Sequence, residues 1–201
     1  MTVRIVVLAS GSGTLMQALI DAQDDPDTPY RVVGMVTDRA DAPAIVRADR
    51  AGIPSVVISP VDHLDRMQWN TRLAQAIEDF APAWIVCAGF MRILGDAVLD
   101  RFAGRIVNSH PALLPSFAGA HGVRDALAYG VRVTGCTIHL VDAGVDTGPI
   151  LAQEAVAVEP GDDETGVHER IKVVERRLLV DVVSDLCRYG CTVDGRKVTI
   201  P

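Results

Sequence analysis

Apolar runs of strand length alternate with helical patterns along the first half of the chain. Residues 3–9 form a continuous apolar run, as expected for a strand that is buried on both faces. Further runs of this kind follow at 31–37, 55–58, 84–88 and 105–107. Between them lie segments with helical spacing, including one over 63–80 whose predicted inward stripe is Met67, Leu73, Ile77 and Phe80. This alternation predicts an α/β fold with a Rossmann-like, doubly wound sheet that is parallel in the N-terminal half.

The second half of the chain follows a different pattern. Two strand-like runs, 133–141 and 150–158, are separated by only about eight residues, whereas a parallel crossover needs a dozen or more. We therefore expect these strands to be antiparallel and the sheet to be mixed in this half. A long C-terminal helix over 165–189 and a terminal hairpin at Asp194-Gly195 complete the predicted fold. The inward residues predicted for that helix are Val167, Ile171, Val174, Leu178, Val182 and Leu186.

Composition and charge exclude several classes of protein. The 201 residues, 49% of them hydrophobic, fit one domain over 1–201. A net charge of −7 without a basic run argues against nucleic acid or an acidic membrane as a partner. No apolar run approaches a membrane span, and the first is too short for a signal peptide, so we expect a cytoplasmic protein. The four cysteines form no C-x-x-C pair and no cluster with histidine, so we predict reduced thiols and no metal.

Two polar side chains follow the predicted strand at 105–107. Asn108 and His110 are two residues apart, so in extended backbone they point the same way, and Pro111 then ends regular structure. Ligands of open α/β sheets lie at the carboxyl ends of strands. An amide donor and an imidazole there suit a developing oxyanion. The alternative is an asparagine in a turn and a histidine that caps a neighbouring group.

Asp146 lies in the short connection between the last two predicted strands, where a mixed sheet can bring its carboxylate beside His110. A carboxylate stabilises a neighbouring imidazolium. A cationic His110 and the Asn108 amide would then stabilise a negative oxygen. Aspartate is also common in turns, so a turn residue is the alternative. His139 is predicted only to face a polar side of its strand. No serine or cysteine lies in a nucleophile-elbow pattern, so no covalent intermediate is indicated.

The small-residue turn from Ser10 to Thr14 is a candidate anion cradle. Glycines let the backbone approach a phosphate, and the following helix offers free N–H groups. Met16 stands where a dinucleotide fingerprint needs its third glycine, and Asp38 falls slightly late for the acidic ribose-binding residue. No Gly-Lys-Ser/Thr follows, which excludes a P-loop. We predict a phosphate monoester on a small metabolite, with a tight turn that needs small residues as the alternative.

Motifs at 10–14, 88–94, 108–115 and 142–149 together resemble the phosphoribosylglycinamide formyltransferase family, the folate-dependent formyltransferases of purine synthesis. The similarity runs from Val3 to about Leu186. It implies that 10-formyltetrahydrofolate, as co-substrate, gives its formyl group to the amine of glycinamide ribonucleotide by direct attack through a tetrahedral intermediate. The implied partners are these two small molecules, without nucleic acid, membrane or metal, and the implied assembly is a monomer or a homodimer.

The resemblance also implies site residues. The implied catalytic residues are Asn108, His110 and Asp146. The implied ribonucleotide-binding residues are Ser12, Gly13, Thr14, Leu15, Lys172 and Glu175. The implied folate-binding residues are Arg66, Met91, Arg92, Ile93, Leu94, Asn108, Asp142, Ala143, Gly144, Val145 and Asp146.

Two departures from the family pattern affect the ribonucleotide site. The family often has asparagine where Ser12 and Leu15 stand, which leaves only backbone donors there. Lys172 replaces a residue that is frequently uncharged. Lys172 and Glu175 also have the i,i+3 spacing of an ordinary surface pair.

Three other functions share part of this pattern. Methionyl-tRNA formyltransferase has the Asn-x-His-Pro and Asp elements, but it would need an appended tRNA-binding domain and a basic surface. Formyltetrahydrofolate hydrolase uses the same trio and carries an extra N-terminal regulatory domain. A non-catalytic phosphate or nucleotide-binding module would explain residues 10–14 but not the combination of Asn108, His110 and Asp146.

Overall fold

The computed structural model describes residues 2–201. The first of two units, Met1–Val107, contains a parallel sheet whose strands alternate with helices. Its elements are β1 (Val3–Leu8), α1 (Thr14–Asp21), β2 (Tyr30–Thr37), α2 (Ala44–Arg50), β3 (Ser55–Val57), α3 (Arg66–Glu78), β4 (Trp84–Cys87) and α4 (Asp96–Leu99), with short 3₁₀ turns at Ala22–Asp24 and Pro60–Asp62. The strand order is β3-β2-β1-β4, and each neighbouring pair is parallel. The predicted Rossmann-like arrangement is therefore confirmed.

The centre of this sheet is apolar on both faces. In β1, residues 5–8 have no exposed surface, as the continuous apolar run predicted. Helix α1 buries Leu15, Met16 and Leu19. Because its first turn follows β1 after a short loop, the helix amino terminus lies at the carboxyl end of the strand, where ligands of such sheets bind.

Helix α3 begins later than predicted, at Arg66 rather than at residue 63. Asp65 caps it, because its side chain accepts a hydrogen bond of 2.8 Å from the Gln68 N–H. The prediction that Met67 points inward is wrong. Met67 lies in the first turn and is 74% exposed, whereas Leu73 and Ile77 have no exposed surface.

The second unit, Asn108–Pro201, combines antiparallel strands with a long helix. Its elements are α5 (Gly122–Tyr129), β6 (Val133–Leu140), β7 (Ile150–Ala157), α6 (Glu164–Tyr189), β8 (Thr192–Asp194) and β9 (Lys197–Thr199). Strands β6 and β7 are antiparallel, β7 and β9 are parallel, and β8 and β9 form a hairpin. The mixed sheet, the long helix and the terminal hairpin are confirmed.

One face of α6 packs on the core of the second unit. Asp163 caps the helix by accepting a hydrogen bond from the Gly166 N–H at 2.7 Å. The predicted inward residues Val167, Ile171, Val182 and Leu186 are buried, but Val174 and Leu178 are only partly buried. Glu175 and Leu179 take the buried positions instead. The buried face of α6 is therefore rotated by about one residue from the predicted face, and it includes the carboxyl group of Glu175.

Strand β5 (Ile106–His110) begins in the first unit and continues into the second. The prediction that this strand ends at Val107 is wrong, because Asn108, Ser109 and His110 keep strand conformation. Ser109 and His110 are buried although they are polar. The prediction relied on hydrophobicity alone and therefore ended the strand just before its first polar residue, Asn108.

Within residues 2–201, no helix combines the length and the apolar character that crossing a bilayer requires. The same residues include no group of three or more His, Cys, Asp or Glu that could hold a metal ion.

Candidate active site

The second unit brings Asn108, His110 and Asp146 into direct contact. Asn108 and His110 lie two apart on β5, and Asp146 comes from the β6–β7 connection. His110 Nδ1 is 3.3 Å from Asp146 Oδ2, and Asn108 Nδ2 is 3.4 Å from Asp146 Oδ1. One carboxylate therefore contacts both side chains of the strand, each through a different oxygen.

The hydrogen bonds of His110 indicate its protonation. Its Nε2 lies 2.8 Å from the carbonyl oxygen of Phe117, which can only accept, so Nε2 must carry a proton. Its Nδ1 faces Asp146 Oδ2, also an acceptor, so that contact is attractive only when Nδ1 carries a proton too. A ring between two acceptors is satisfied as an imidazolium. His110 is 4% exposed, so water does not compete for these two contacts.

Asp146 is held in a restricted conformation. Its φ is +53°, in the left-handed region that residues with a side chain rarely occupy. The Gly119 N–H donates to its Oδ2 at 2.8 Å. The neighbouring His139 ring lowers the pKa of Asp146, and the Gly119 N–H and a charge on His110 act in the same direction, while burial opposes them. Asp146 is therefore an anion at neutral pH.

His139 is a site residue that the sequence pattern did not identify. Its side chain is 2% exposed, and its Nε2 lies 3.1 Å from Asn108 Nδ2 and 3.6 Å from Asp146 Oδ1. Its Nδ1 donates to the Leu140 carbonyl at 2.9 Å, and its Nε2 faces both Asn108 Nδ2 and Asp146 Oδ1. The ring therefore orients the Asn108 side chain. In the sequence, the only indication of this role was the prediction that His139 faces a polar side of its strand.

This constellation suits the stabilisation of an oxyanion. The buried His110 ring and the Asn108 amide NH₂ both carry donors, and both lie on one side of β5. Donors that the protein holds in place can stabilise a developing negative oxygen once it replaces one of their present acceptors. The thiols of Cys87 and Cys136 are buried, which raises the pKa of each to about 12, so neither supplies a thiolate nucleophile.

Glu175 contacts Ser109, the residue between Asn108 and His110 on β5. It is 4% exposed, and Ser109 Oγ donates to its Oε1 at 2.5 Å. The alternative of a surface pair between Lys172 and Glu175 is wrong, because Lys172 Nζ contacts Glu169 Oε1 at 2.7 Å. Burial raises the pKa of Glu175, although the Ser109 hydroxyl and the cations of Lys172 and Arg176 oppose the shift.

Glu175→Gln is expected to stabilise the protein increasingly as pH rises. A carboxyl whose pKa is raised by folding contributes its full stability below its unfolded pKa and loses it as pH rises through the folded pKa. Glutamine keeps a hydrogen-bond acceptor for Ser109 without this loss. Urea unfolding at acidic and neutral pH measures the change, with Glu169→Gln as control. The pKa of Glu169 is lowered by Lys172, so its substitution should show the opposite trend. A difference between Glu175→Gln and wild type that does not vary with pH would contradict this assignment.

The candidate phosphate cradle at residues 10–14 lies in the first unit. Gly13 precedes α1 with a φ of +71°, and the first turn of the helix leaves its N–H groups free. Ser12 is exposed, Thr14 is half-buried and the Leu15 side chain is buried, so Leu15 offers only backbone to a ligand. Arg47 Nε donates to the Ser12 carbonyl at 2.8 Å, which places a cation beside the turn that the sequence pattern did not indicate.

Gly13→Ala is expected to destabilise the protein by about 1–2 kcal/mol from the left-handed backbone alone. A Cβ at Gly13 would also lie 2.7 Å from Ala44 Cβ and 2.9 Å from Ala44 Cα, which adds to the loss. Gly11→Ala is the matched control, because a Cβ there meets no atom within 4 Å. Chemical denaturation of both variants measures the difference. Equal stabilities would show that the turn is not constrained as described.

The predicted folate-binding residues of the first unit follow β4. Met91 and Ile93 are exposed, Leu94 is buried, and Arg92 contacts Asp38 at 2.7 Å. Arg66 donates to the Ile93 carbonyl, and its guanidinium carbon lies 5.3 Å from the centre of the Trp69 ring. The exposed apolar side chains offer contact area for a flat ring system.

The other predicted folate-binding residues, 142–146, form the β6–β7 connection of the second unit. Asp142 Oδ1 accepts from the Gly144 N–H at 3.1 Å and from the Thr147 hydroxyl at 2.6 Å. Ala143, Gly144 and Val145 are exposed. Asp142 therefore shapes the part of the loop that leads to Asp146, whose residues 143–145 are exposed.

Comparisons with known proteins agree with this geometry. The model of the formyl transferase family matches residues 3–183. Phosphoribosylglycinamide formyltransferase from Mycobacterium tuberculosis is 54% identical over 197 residues, which cover 98% of this chain and 91% of the relative. The protein of the same name from Bacillus subtilis is 32% identical, over 91% of this chain and 94% of the relative. The crystal structure of glycinamide ribonucleotide transformylase 1 from Symbiobacterium toebii has a TM-score of 0.96 at 39% identity, over 99% of this chain and 94% of that one.

Proposed function

The chain belongs to the formyl transferase family, and from this premise we propose that it transfers the formyl group of 10-formyltetrahydrofolate to the amine of glycinamide ribonucleotide in purine biosynthesis. The observation that carries the proposal is the His110 ring, held between the Phe117 carbonyl and Asp146 beside the Asn108 amide. The names of the two relatives and of the solved structure support the choice of acceptor.

In the proposed reaction, the substrate amine attacks the formyl carbon directly. The new C–N bond forms as the carbonyl becomes a tetrahedral alkoxide, and collapse of this intermediate breaks the bond to folate N10. To donate to the alkoxide oxygen, Asn108 Nδ2 and His110 Nε2 each exchange a protein acceptor for it, Asp146 Oδ1 and the Phe117 carbonyl respectively, while Asp146 Oδ2 still faces His110 Nδ1. Such donors contribute about 2.7–4 kcal/mol each, and positioning of the two substrates contributes about 7–11 kcal/mol.

Asp146 has a second proposed role in moving a proton. The attacking amine must lose a proton, and the departing folate nitrogen must gain one. A carboxylate whose pKa is lowered holds a proton poorly, so it serves better as an acceptor for a bridging water than as the acid itself. We therefore assign Asp146 to orienting a water that relays the proton.

The proposed substrate contacts are made by the residues that the family resemblance implies. Backbone N–H groups of Gly13, Thr14 and Leu15, with Ser12, bind the phosphate of the ribonucleotide. Lys172 and Glu175 of α6 contact the same substrate. Residues 91–94 with Arg66, and residues 142–146 with Asn108, bind the folate. The family match spans both units, which supports a single formyltransferase domain over 1–201.

Neither alternative function is favoured. A hydrolase could use the same oxyanion donors with water as nucleophile, but the relatives compared above carry transferase names. A binding module without activity would not require a carboxylate, an imidazole and an amide in mutual contact. The absence of a metal from the reaction, a monomeric or homodimeric state and a cytoplasmic location stay predictions.

An absorbance assay for deformylated folate tests the function. The protein is mixed with 10-formyltetrahydrofolate, with and without glycinamide ribonucleotide. We expect deformylated folate only when the amine is present, in an amount equal to the formylated ribonucleotide. Product without the amine would identify a hydrolase, and no product under either condition would contradict enzymatic function.

A further inference from the structure

Asp38 is a buried carboxylate with one unused oxygen. It follows β2 directly, and its side chain is 1% exposed. Its Oδ2 accepts a hydrogen bond from Arg92 Nε at 2.7 Å, whereas its Oδ1 has no hydrogen-bond partner among residues 2–201. Buried carboxylates are almost always fully paired, because removing the charge from water is costly. A carboxylate kept here for packing alone would not be expected to leave one oxygen unsatisfied.

The geometry of Arg92 explains what this contact does. A guanidinium is planar and carries donors on three nitrogens in a fixed fork. Because Asp38 holds Nε, the plane of the group is set, and the two terminal nitrogens remain on a side chain that is 47% exposed. Two terminal nitrogens together match the paired oxygens of a carboxylate or a phosphate.

A neighbouring ion pair shows the contrast. Arg39 donates to both oxygens of Asp41, from Nε at 3.0 Å and from Nη2 at 2.8 Å, and both side chains are exposed. In that pair each carboxylate oxygen is satisfied and the guanidinium edge is occupied. Within residues 2–201, the Asp38–Arg92 contact uses a single guanidinium nitrogen, Nε.

Arg92 also belongs to a segment that is fixed to the candidate phosphate cradle. The Met91 N–H donates to Ser10 Oγ at 2.9 Å, and the Ser10 N–H donates to the Gly89 carbonyl at 3.0 Å. An anion at Arg92 could therefore come from either substrate. It would be a carboxylate of the glutamate tail of the folate, or the phosphate of the ribonucleotide.

We propose that Asp38 is a positioning residue that aims the terminal nitrogens of Arg92 at an anionic group of a substrate. The identity of that anion rests on the proposed function, under which the folate carboxylate is expected. Asp38 does not touch the substrate itself. It converts a flexible arginine into a fixed receptor, which improves binding without changing the chemical step.

Steady-state kinetics of Asp38→Asn, Arg92→Ala and the double variant test this role, with Asp41→Asn as matched control. Asp38→Asn should raise the KM of one substrate by about tenfold, the size of a lost charge-assisted hydrogen bond, with kcat within about twofold of wild type. The double variant should be no worse than Arg92→Ala, because the two residues act through one contact. Asp41→Asn should match wild type.

The two sources of the anion are distinguished by an analogue of the folate that lacks its glutamate tail. If the folate carboxylate is bound, the effect of Asp38→Asn on the folate KM disappears with the analogue. If the phosphate is bound, the KM of the ribonucleotide rises with either folate. Unchanged KM values, a loss confined to kcat, or additive effects in the double variant would each overturn the role of Asp38.

A second measurement needs neither turnover nor a folded Asp38→Asn protein. The Arg92 Nε–H signal of wild type, assigned by its disappearance in Arg92→Lys, is followed by NMR during titration with each substrate alone. It should stay protected from exchange at saturation, because the bond to Asp38 persists while the terminal nitrogens bind. Loss of protection on binding would overturn the proposal. Wild-type protein that binds in this way but transfers no formyl group would contradict the proposed function alone.

Discussion

Asp146→Asn is expected to lower kcat by about a thousandfold or more, by analogy with the loss of the aspartate that orients a catalytic histidine. The carboxylate accepts from the Gly119 N–H and faces both His110 Nδ1 and Asn108 Nδ2. An asparagine has almost the same shape but no charge, and its NH₂ group would oppose one of these donors. Without the carboxylate charge, the doubly protonated form of His110 would no longer be stabilised.

The control for this variant is Asp162→Asn in the same unit. Asp162 is a carboxylate whose pKa is also lowered, in this case by Arg170, and it lies outside the proposed site. Its substitution should leave kcat within about twofold of wild type. Circular dichroism and thermal unfolding establish that both variants are folded. A kcat near wild type for folded Asp146→Asn would remove Asp146 from the mechanism.

His110→Ala is expected to lower kcat/KM by at least about a hundredfold, and Asn108→Ala by a similar factor, because each removes one donor to the oxyanion. His110 also holds the segment that contains Phe117 through its 2.8 Å hydrogen bond, so its loss affects both charge and position. Asn108 lies 3.1 Å from His139 and 3.4 Å from Asp146, and its loss removes the amide donor together with these two contacts.

The matched control is His63→Ala. His63 contacts the Ser59 carbonyl at 2.9 Å through Nδ1 in the first unit and has no proposed part in the reaction. Formyl transfer is measured for the three variants under the same conditions, after their folding has been checked. Near-normal transfer by both Asn108→Ala and His110→Ala would contradict the assignment of the oxyanion donors.

The predictable part of the fold is the part governed by local pattern. Apolar runs as long as β1 and β4 have few alternatives to a buried strand, and the short connection between β6 and β7 excludes a parallel crossover. The errors arise where polar residues occupy buried positions. Strand β5 continues through Asn108 and His110, and α6 buries Glu175, because partners distant in sequence satisfy these groups.

The candidate site shows the same limit. Asn108, His110 and Asp146 could be identified by residue type, by spacing and by resemblance. His139 could not, since its contact with Asn108 joins residues 31 apart in the sequence. Asp38 looked misplaced for a ribose contact, and only the structure shows that it is buried against Arg92. Contacts between segments decide these roles, and no local pattern encodes them.

In the proposed mechanism, Asp146 and the Phe117 carbonyl together hold a doubly protonated His110 beside Asn108. The ¹⁵N chemical shifts of the His110 ring at neutral pH, in wild type and in Asp146→Asn, test it most directly. We predict that both ring nitrogens carry protons in wild type and that the substitution leaves one of them unprotonated. A wild-type ring with an unprotonated nitrogen under these conditions would contradict the mechanism.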